Sequence, residues 1–480
     1  MRCFGVLLFL VLVLLSACSN FDGCEGKRHW RQRKASSSMI RKKGKEKNGS
    51  RHGHGGGGRG GSGHLSHPPA PSPSPGAGSP ESAVFDVLDF GAKGDGVADD
   101  TKAFEAAWAA ACKVASSVMA VPPEFEFLVG PISFSGPYCQ PNIVFQLDGM
   151  IIAPTNAKYW GSGLLWWIEF TKLKGITIRG SGVIEGRGSA WWSYADSDVD
   201  PIHDELSSTN LPQIKPTALR FYGSYNVTVT GITIQNSQQC HLKFDNCEAV
   251  QVHNITVASP GSSLNTDGIH LQNSRDVMIH HANVSCGDDC VSIQTGCSNI
   301  DIHSVNCGPG HGISVGGLGR DSSKACVSNI TVRDVNFHGT MTGVRIKTWQ
   351  GGSGAAESIR FSNIRVSEVQ TPIVIDQFYC DRSSCRNQTS AVALSGVAYE
   401  NIKGTYTVKP VHFACSDASP CSDITLTQIE LRPLQEHYHM YEPFCWQTFG
   451  ELYTPTVPPI ACLQNGKPAS NRILSDRDLC

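Results

Sequence analysis

The chain has 480 residues, of which 40% are apolar, 17% are charged and 49 are glycine, and its net charge is -2. Sparse charge excludes a coiled coil, an acidic solvating chain and a nucleic-acid packaging protein, while the apolar share supplies a large core. The near-balance hides an asymmetry. Residues 1–60 hold thirteen of the 40 Lys and Arg but only three acids, Asp22, Glu25 and Glu46, so a basic arm precedes an acidic body.

At the start, Arg2 precedes an apolar run from Val6 to Leu15 and then small residues, which predicts a cleavable secretory signal over 1–19. The run is too short to span a bilayer. A membrane anchor is the competing reading, as is a lipoprotein cleavage box at Leu15-Ser16-Ala17-Cys18. Six Asn-x-Ser/Thr sequons, at Asn48, Asn226, Asn254, Asn283, Asn329 and Asn387, and 19 cysteines favour the oxidising secretory route and a glycoprotein. Residues 20–82 form a low-complexity arm, first basic and then Gly-, Ser- and Pro-rich. Such a composition cannot bury enough surface to offset its ordering entropy. It reads as a flexible tether, a processed propeptide or an inert linker. Sixteen cysteines remain from Cys112 onward, an even number that suits disulfides, with no zinc-type CxxC pair among them.

Residues 83–480 carry one internal repeat. Thr101–Val114 has Ala-rich helical spacing and is expected to cap the N-terminal end of the repeat array, and 173–184 reads as an early turn. From Val227 onward, apolar residues recur at positions 1, 3, 6 and 8. They are Val227-Val229-Ile232-Ile234, Val250-Val252-Ile255-Val257, Val277-Ile279-Ala282-Val284, Ile300-Ile302-Val305-Cys307, Ile330-Val332-Val335-Phe337, Ile359-Phe361-Ile364-Val366, Val392-Leu394-Val397-Tyr399 and Ile424-Leu426-Ile429-Leu431. Alternation with a break after position 3 predicts two short strands meeting at a bend. A further strand comes after most of them, at Leu242, Ile269, Val291, Ile313, Val344 and Ile373. Three strands per turn, stacked turn on turn, describe an all-β parallel β-helix with a short N-terminal capping helix; a β-sandwich would not return at one period with the same internal break.

This register gathers the chemistry. Asp267, Asp289 and His311 each stand two residues before the first inward residue of the last strand in three successive turns, so they should form a column with steps of about 4.8 Å. Asp288 lies beside Asp289. On the next turn, Arg345 and Lys347 take outward positions. Carboxylates beside a cationic patch suit hydrolysis of a glycosidic bond in an acidic sugar, with one carboxyl kept protonated by its crowded neighbours and another taking a proton from water. Arg and Lys would meet a substrate carboxylate. A calcium site is the rival reading of the aspartates.

Four segments in order, Asn265-Thr266-Asp267-Gly268, Gly287-Asp288-Asp289-Cys290, Gly310-His311-Gly312 and Arg345-Ile346-Lys347, resemble the signatures of the polygalacturonases, glycoside hydrolase family 28. Residues 84–100 and 182–192 are also similar to that family, so the resemblance covers about 85 to 480. It implies a right-handed parallel β-helix and inverting hydrolysis of α-1,4-galacturonan. It casts Asp288 as general acid, Asp267 and Asp289 as the groups that position and deprotonate water, and His311 as support for the acid. Asn265, Arg345, Lys347 and Tyr379 would contact the substrate.

The resemblance also favours a Cys290–Cys307 bridge, while Cys380 with Cys385 and Cys415 with Cys421 lie close enough in sequence to close short loops. It implies no cofactor and no metal, a pectic polysaccharide as partner, neither nucleic acid nor membrane, a monomer, and action in the extracellular cell wall. A wall-resident pectin-binding protein with little turnover, or a rhamnogalacturonan hydrolase, is the alternative.

Overall fold

A computed structural model describes residues 82–192, 211–382, 384–435, 442–468 and 480. The signal and nearly all of the basic arm lie outside the described residues. From Val84 onward the chain winds as a right-handed parallel β-helix. A typical turn runs Tyr225–Thr230, Thr233–Gln235 and Leu242–Asp245 before the next begins at Glu248. The strand pairs that connect successive turns are parallel, with Val227 on Val250, Val250 on Val277 and Val277 on Ile300.

The predicted break has one cause. The residue at position 5 of each repeat adopts a left-handed backbone: Gly231, Asn254, His281, Ser304, Asp334, Asn363, Asn401 and Gln428, with φ from 50° to 81°. A single left-handed residue turns the strand while the apolar residues on either side keep facing inward. Asn and Asp tolerate this conformation better than most side chains.

The seventh repeat is corrected by five residues. Val397 pairs with Ile359 and Ile402 with Ile364, so the repeat is Val397-Tyr399-Ile402-Gly404 and not Val392-Leu394-Val397-Tyr399. Its last inward position is Gly404, where an added Cβ would lie 1.8 Å from the Val366 carbonyl oxygen. With no apolar letter at position 8, the pattern fits equally well one half-repeat earlier, because Leu394 extends the same strand with the same spacing.

The N-terminal end is closed by the helix Thr101–Ala111, shorter by three residues than expected. Its buried residues Phe104 and Trp108 meet the core, Trp108 lying 5.1 Å from Phe134 and 5.7 Å from Phe170 between ring centroids. Inside, Phe134, Phe170, Phe221 and Phe244 stack on successive turns with centroids 4.8 to 5.4 Å apart. They share one inward register with Leu271, Ile293, Val315 and Ile346, behind the strands that carry the aspartates.

Twelve of the sixteen cysteines form six disulfides: Cys112–Cys139, Cys290–Cys307, Cys326–Cys480, Cys380–Cys385, Cys415–Cys421 and Cys445–Cys462. The even count did not mean complete pairing. Cys240, Cys247, Cys286 and Cys297 are buried thiols and behave as small apolar residues of the core.

Candidate active site

Ile269–Gln272, Val291–Ile293, Ile313–Leu318 and Thr342–Trp349 are neighbouring strands of one sheet, with Ile269 on Val291, Val291 on Ile313 and Ile313 on Val344. That register sets Asp267, Asp289, His311 and Thr342 in one row across the sheet. Ser292, Ser314 and Arg345 form a second row, on the outward face.

Asp289 is 1% exposed and fully engaged. Its Oδ1 accepts from Arg345 Nη2 at 2.6 Å and from Ser314 Oγ at 2.7 Å, and its Oδ2 accepts from Lys347 Nζ at 2.8 Å. Burial alone would favour the neutral acid. The guanidinium and the ammonium outweigh it and hold the carboxyl down at about 2. The same contacts account for why Arg345 and Lys347 can be nearly buried as cations.

Asp288 is more open, its side chain 23% exposed. Its Oδ1 accepts from the Asp289 amide at 2.8 Å and lies 3.0 Å from His311 Nδ1. The His311 amide donates to the Asp288 carbonyl at 2.7 Å, so backbone and side chain both couple the two residues. Both side-chain contacts use Oδ1, and Oδ2 makes no hydrogen bond among the described residues.

Asp267 keeps no such cation pair. Burial raises its carboxyl, a hydrogen bond to His270 opposes this, and the charge of Asp288 raises it further. His270 Nδ1 lies 3.2 Å from Asp267 Oδ2. From beneath, buried His241 fixes the backbone of Asp267: its Nδ1 is 2.8 Å from the Asp267 carbonyl oxygen and its Nε2 is 2.7 Å from Ser259 Oγ. Burial depresses His241 to about 4, so it is neutral, and the carbonyl requires that Nδ1 carry the proton. Neither histidine was foreseen. His270 was within reach, since it occupies the outward position that Arg345 holds three strands later; nothing in the sequence marks His241.

Asn265 sits on the exposed turn before the Ile269 strand, with φ of 58°. Tyr379 lies at the edge of the cluster, with Lys347 Nζ 5.1 Å from its ring centroid. Burial raises its phenol, against the opposing charges of Lys347 and Arg345. Cys290–Cys307 ties the residue after Asp289 to the end of the strand that leads to His311.

Asp288, Asp289 and His311 bring one ligand atom each within 4.8 Å of one another. The set does not fit a calcium ion, because both oxygens of Asp289 are already bound to Arg345, Lys347 and Ser314, and two cations occupy the space of a third. A groove of about 740 Å³ on the other sheet is no rival to this site. Its asparagines are engaged, Asn401 donating to Asn363 at 2.9 Å, Asn363 to Asp334 at 3.1 Å and Asn336 to Asn306 at 2.9 Å, and it joins no carboxylate pair to a cation row.

Residues 112–440 match the model of glycosyl hydrolases family 28. The chain belongs to this family. It is therefore a glycoside hydrolase, and the four signature segments coincide with the row of aspartates and the cations beside it. The chain is 43% identical over 351 residues to a polygalacturonase of Cryptomeria japonica, covering 73% of this chain and 67% of that one. It is 40% identical over 384 residues to a probable polygalacturonase of Arabidopsis thaliana, covering 79% and 84%. Among solved structures, the endo-xylogalacturonan hydrolase of Aspergillus tubingensis superposes with a TM-score of 0.64 at 21% identity, over 81% of this chain and all of that one. At that identity the likeness carries the family's fold alone.

Proposed function

We propose that the protein hydrolyses α-1,4-galacturonosidic bonds of homogalacturonan, with inversion as the family resemblance implies, and that it acts in the cell wall after secretion. The observation that carries this reading is the cluster in which three aspartates with different partners, His270, His311 and the cations, stand beside a buried Arg–Lys pair.

Asp288 is cast as the acid. Its partly exposed carboxyl gives a proton to the leaving glycosidic oxygen as the bond to the anomeric carbon breaks, with His311 fixing its orientation. Water attacks that carbon and loses its proton to a carboxylate. The geometry favours Asp267 for this step over Asp289. Asp289 at about 2 is a weak base with both oxygens engaged, whereas Asp267 has a raised carboxyl and 18% of its side chain exposed. Asp289 then serves to hold Arg345 and Lys347, whose remaining donors meet the galacturonate carboxylate. The six disulfides suit a secretory route.

Reducing-end release from polygalacturonate tests the reading, with Asp288→Asn as control. The parent should release reducing ends without an ultraviolet-absorbing unsaturated product, and the variant should lose nearly all rate while still binding substrate. No release by the parent, or a variant that keeps about a tenth or more of kcat, would be decisive against it.

A further inference from the structure

The sheet that does not bear the aspartates carries a histidine cluster that hydrolysis leaves unused. His253, His280 and His303 occupy position 4 of three successive repeats, in register on adjacent strands. Their rings stack with centroids 5.0 Å apart and planes within 5° of parallel. At position 5 the left-handed bend folds the next side chain back onto this column, so that Asn254 Nδ2 lies 3.1 Å from His253 Nδ1 and Ser304 Oγ 3.2 Å from His303 Nδ1. In the middle repeat the bend residue is itself a histidine. His281, with φ of 52°, brings its Nδ1 to 2.8 Å from His280 Nδ1, its ring edge-on to His280 at 5.0 Å and to His303 at 6.0 Å.

Two imidazole nitrogens this close need a proton or a metal ion between them. With metal–nitrogen bonds of about 2.0 Å, ligands at a right angle stand about 2.8 Å apart and ligands at the tetrahedral angle about 3.3 Å. The observed separation fits the right angle, which copper(II) prefers and zinc does not. The same bond length lets the centroids of two imidazoles on one ion lie up to roughly 6.4 Å apart, so His280, His281 and His303 are all within span. His303, parallel to His280, reaches the shared ion by turning about its Cβ–Cγ bond. Burial and the neighbouring histidines lower His280 below its ordinary 6.5, and burial and Arg333 lower His303, so both keep a lone pair at neutral pH. Asp301, two residues before His303 on the same face, puts a negative charge beside both rings. Its Oδ2 accepts from Arg333 at 3.0 Å, but its Oδ1 is buried with no hydrogen-bond partner among the described residues. Arg333, the next member of the column, is already met by Asp301 and Asp334 at 3.0 and 3.1 Å. A buried carboxylate oxygen without a donor, beside neutral imidazoles, favours a cation, and imidazole ligands select a transition ion over calcium or magnesium.

We propose that His280 and His281, joined by His303 of the next turn, bind a divalent transition-metal ion of the copper(II) type. The site stands apart from the galacturonan reading and uses none of the residues assigned to hydrolysis. Its ligands come from the two strands, Arg275–Ser285 and Cys297–Cys307, that lead to Asp288 and His311. A bound ion therefore ties together the two turns that present the acid and its histidine.

The test titrates copper(II) chloride calorimetrically into the full chain, His281→Asn and His303→Gln, with zinc and calcium chlorides as comparisons. Asparagine keeps the left-handed bend, as Asn254 and Asn363 do, so His281→Asn removes the imidazole without removing the turn. The parent should bind a copper ion that His281→Asn holds about tenfold or more weakly and His303→Gln about threefold or more weakly. Zinc should bind less tightly than copper, and calcium should not bind. The arm's own histidines, His29, His52, His54, His64 and His67, are common to all three proteins and cancel in the comparison. Nitrogen splitting in the electron paramagnetic resonance spectrum of the bound copper should show one nitrogen fewer in His281→Asn than in the parent. Equal copper affinity and an equal nitrogen count in parent and His281→Asn would overturn the site and leave the 2.8 Å contact as a shared proton.

Discussion

His270 Nδ1 stands 3.2 Å from Asp267 Oδ2, whereas Asp289, one strand away, is clamped by Arg345 and Lys347 at 2.6 and 2.8 Å. The two carboxylates thus differ in kind. One is held down by two buried cations, whereas the other is raised by burial and has only an imidazole beside it.

The difference should appear first in stability. Asp289→Asn leaves Arg345 and Lys347 buried without a counter-charge and should cost about 3–5 kcal/mol, read from equilibrium denaturation. Asp267→Asn removes a buried charge whose ionisation the fold resists, and an amide oxygen can still accept from His270. It should leave stability at neutral pH equal to or above the parent's while abolishing turnover. A destabilised Asp267→Asn would show that its charge holds the fold.

The pH dependence has opposite signs at the two carboxylates. The folded Asp289 carboxyl lies at about 2, below its ordinary 3.8, so its contribution to stability is full above the ordinary value and is lost as pH falls through about 2. Asp267 is raised, so its cost to the fold enters as pH climbs past 3.8. Acid unfolding of Asp289→Asn should therefore be shallower than the parent's in the window between those values.

His270→Gln should move the acidic limb of the kcat/KM profile to higher pH. The hydrogen bond and charge of His270 lower the Asp267 carboxyl and the charge of Asp288 raises it, while Lys243 flanks His270 on the preceding strand and Ser292 on the next. A neutral amide keeps a hydrogen bond but supplies no charge. An unmoved limb with lowered kcat would mean that His270 acts only by position.

Lys347→Ala should weaken the use of de-esterified galacturonan more than that of its methyl ester, because the ester presents no carboxylate for the ammonium. Kinetics on a matched pair of substrates check this. Equal losses would leave Lys347 with no task but neutralising Asp289.

Much of this was legible because a β-helix writes its register into the chain. Spacing from Ile269, Val291, Ile313 and Val344 was enough to set Asp267, Asp289 and His311 in a row and Arg345 beyond them. What escaped lay where side-chain identity stops tracking the register. Gly404 stands at an inward position that has no room for a side chain, so the repeat around it slipped. His241 contributes through a backbone carbonyl, and an acceptor that every residue owns leaves no letter to read. The four unpaired cysteines failed for a related reason: thiols inside an apolar core are indistinguishable in sequence from half-cystines.

Because the row of aspartates and His311 repeats one position on adjacent strands, the separations among these groups along the axis are quantised. Adding or deleting a turn would move a group by a full strand spacing, about 4.8 Å, far more than proton transfer tolerates. Fine adjustment must come from side-chain reach instead. Exchanging Asp267 for glutamate, or Lys347 for arginine, shifts a reacting atom by about one bond length without disturbing the stack, and such exchanges are the natural variables for redesigning this cleft.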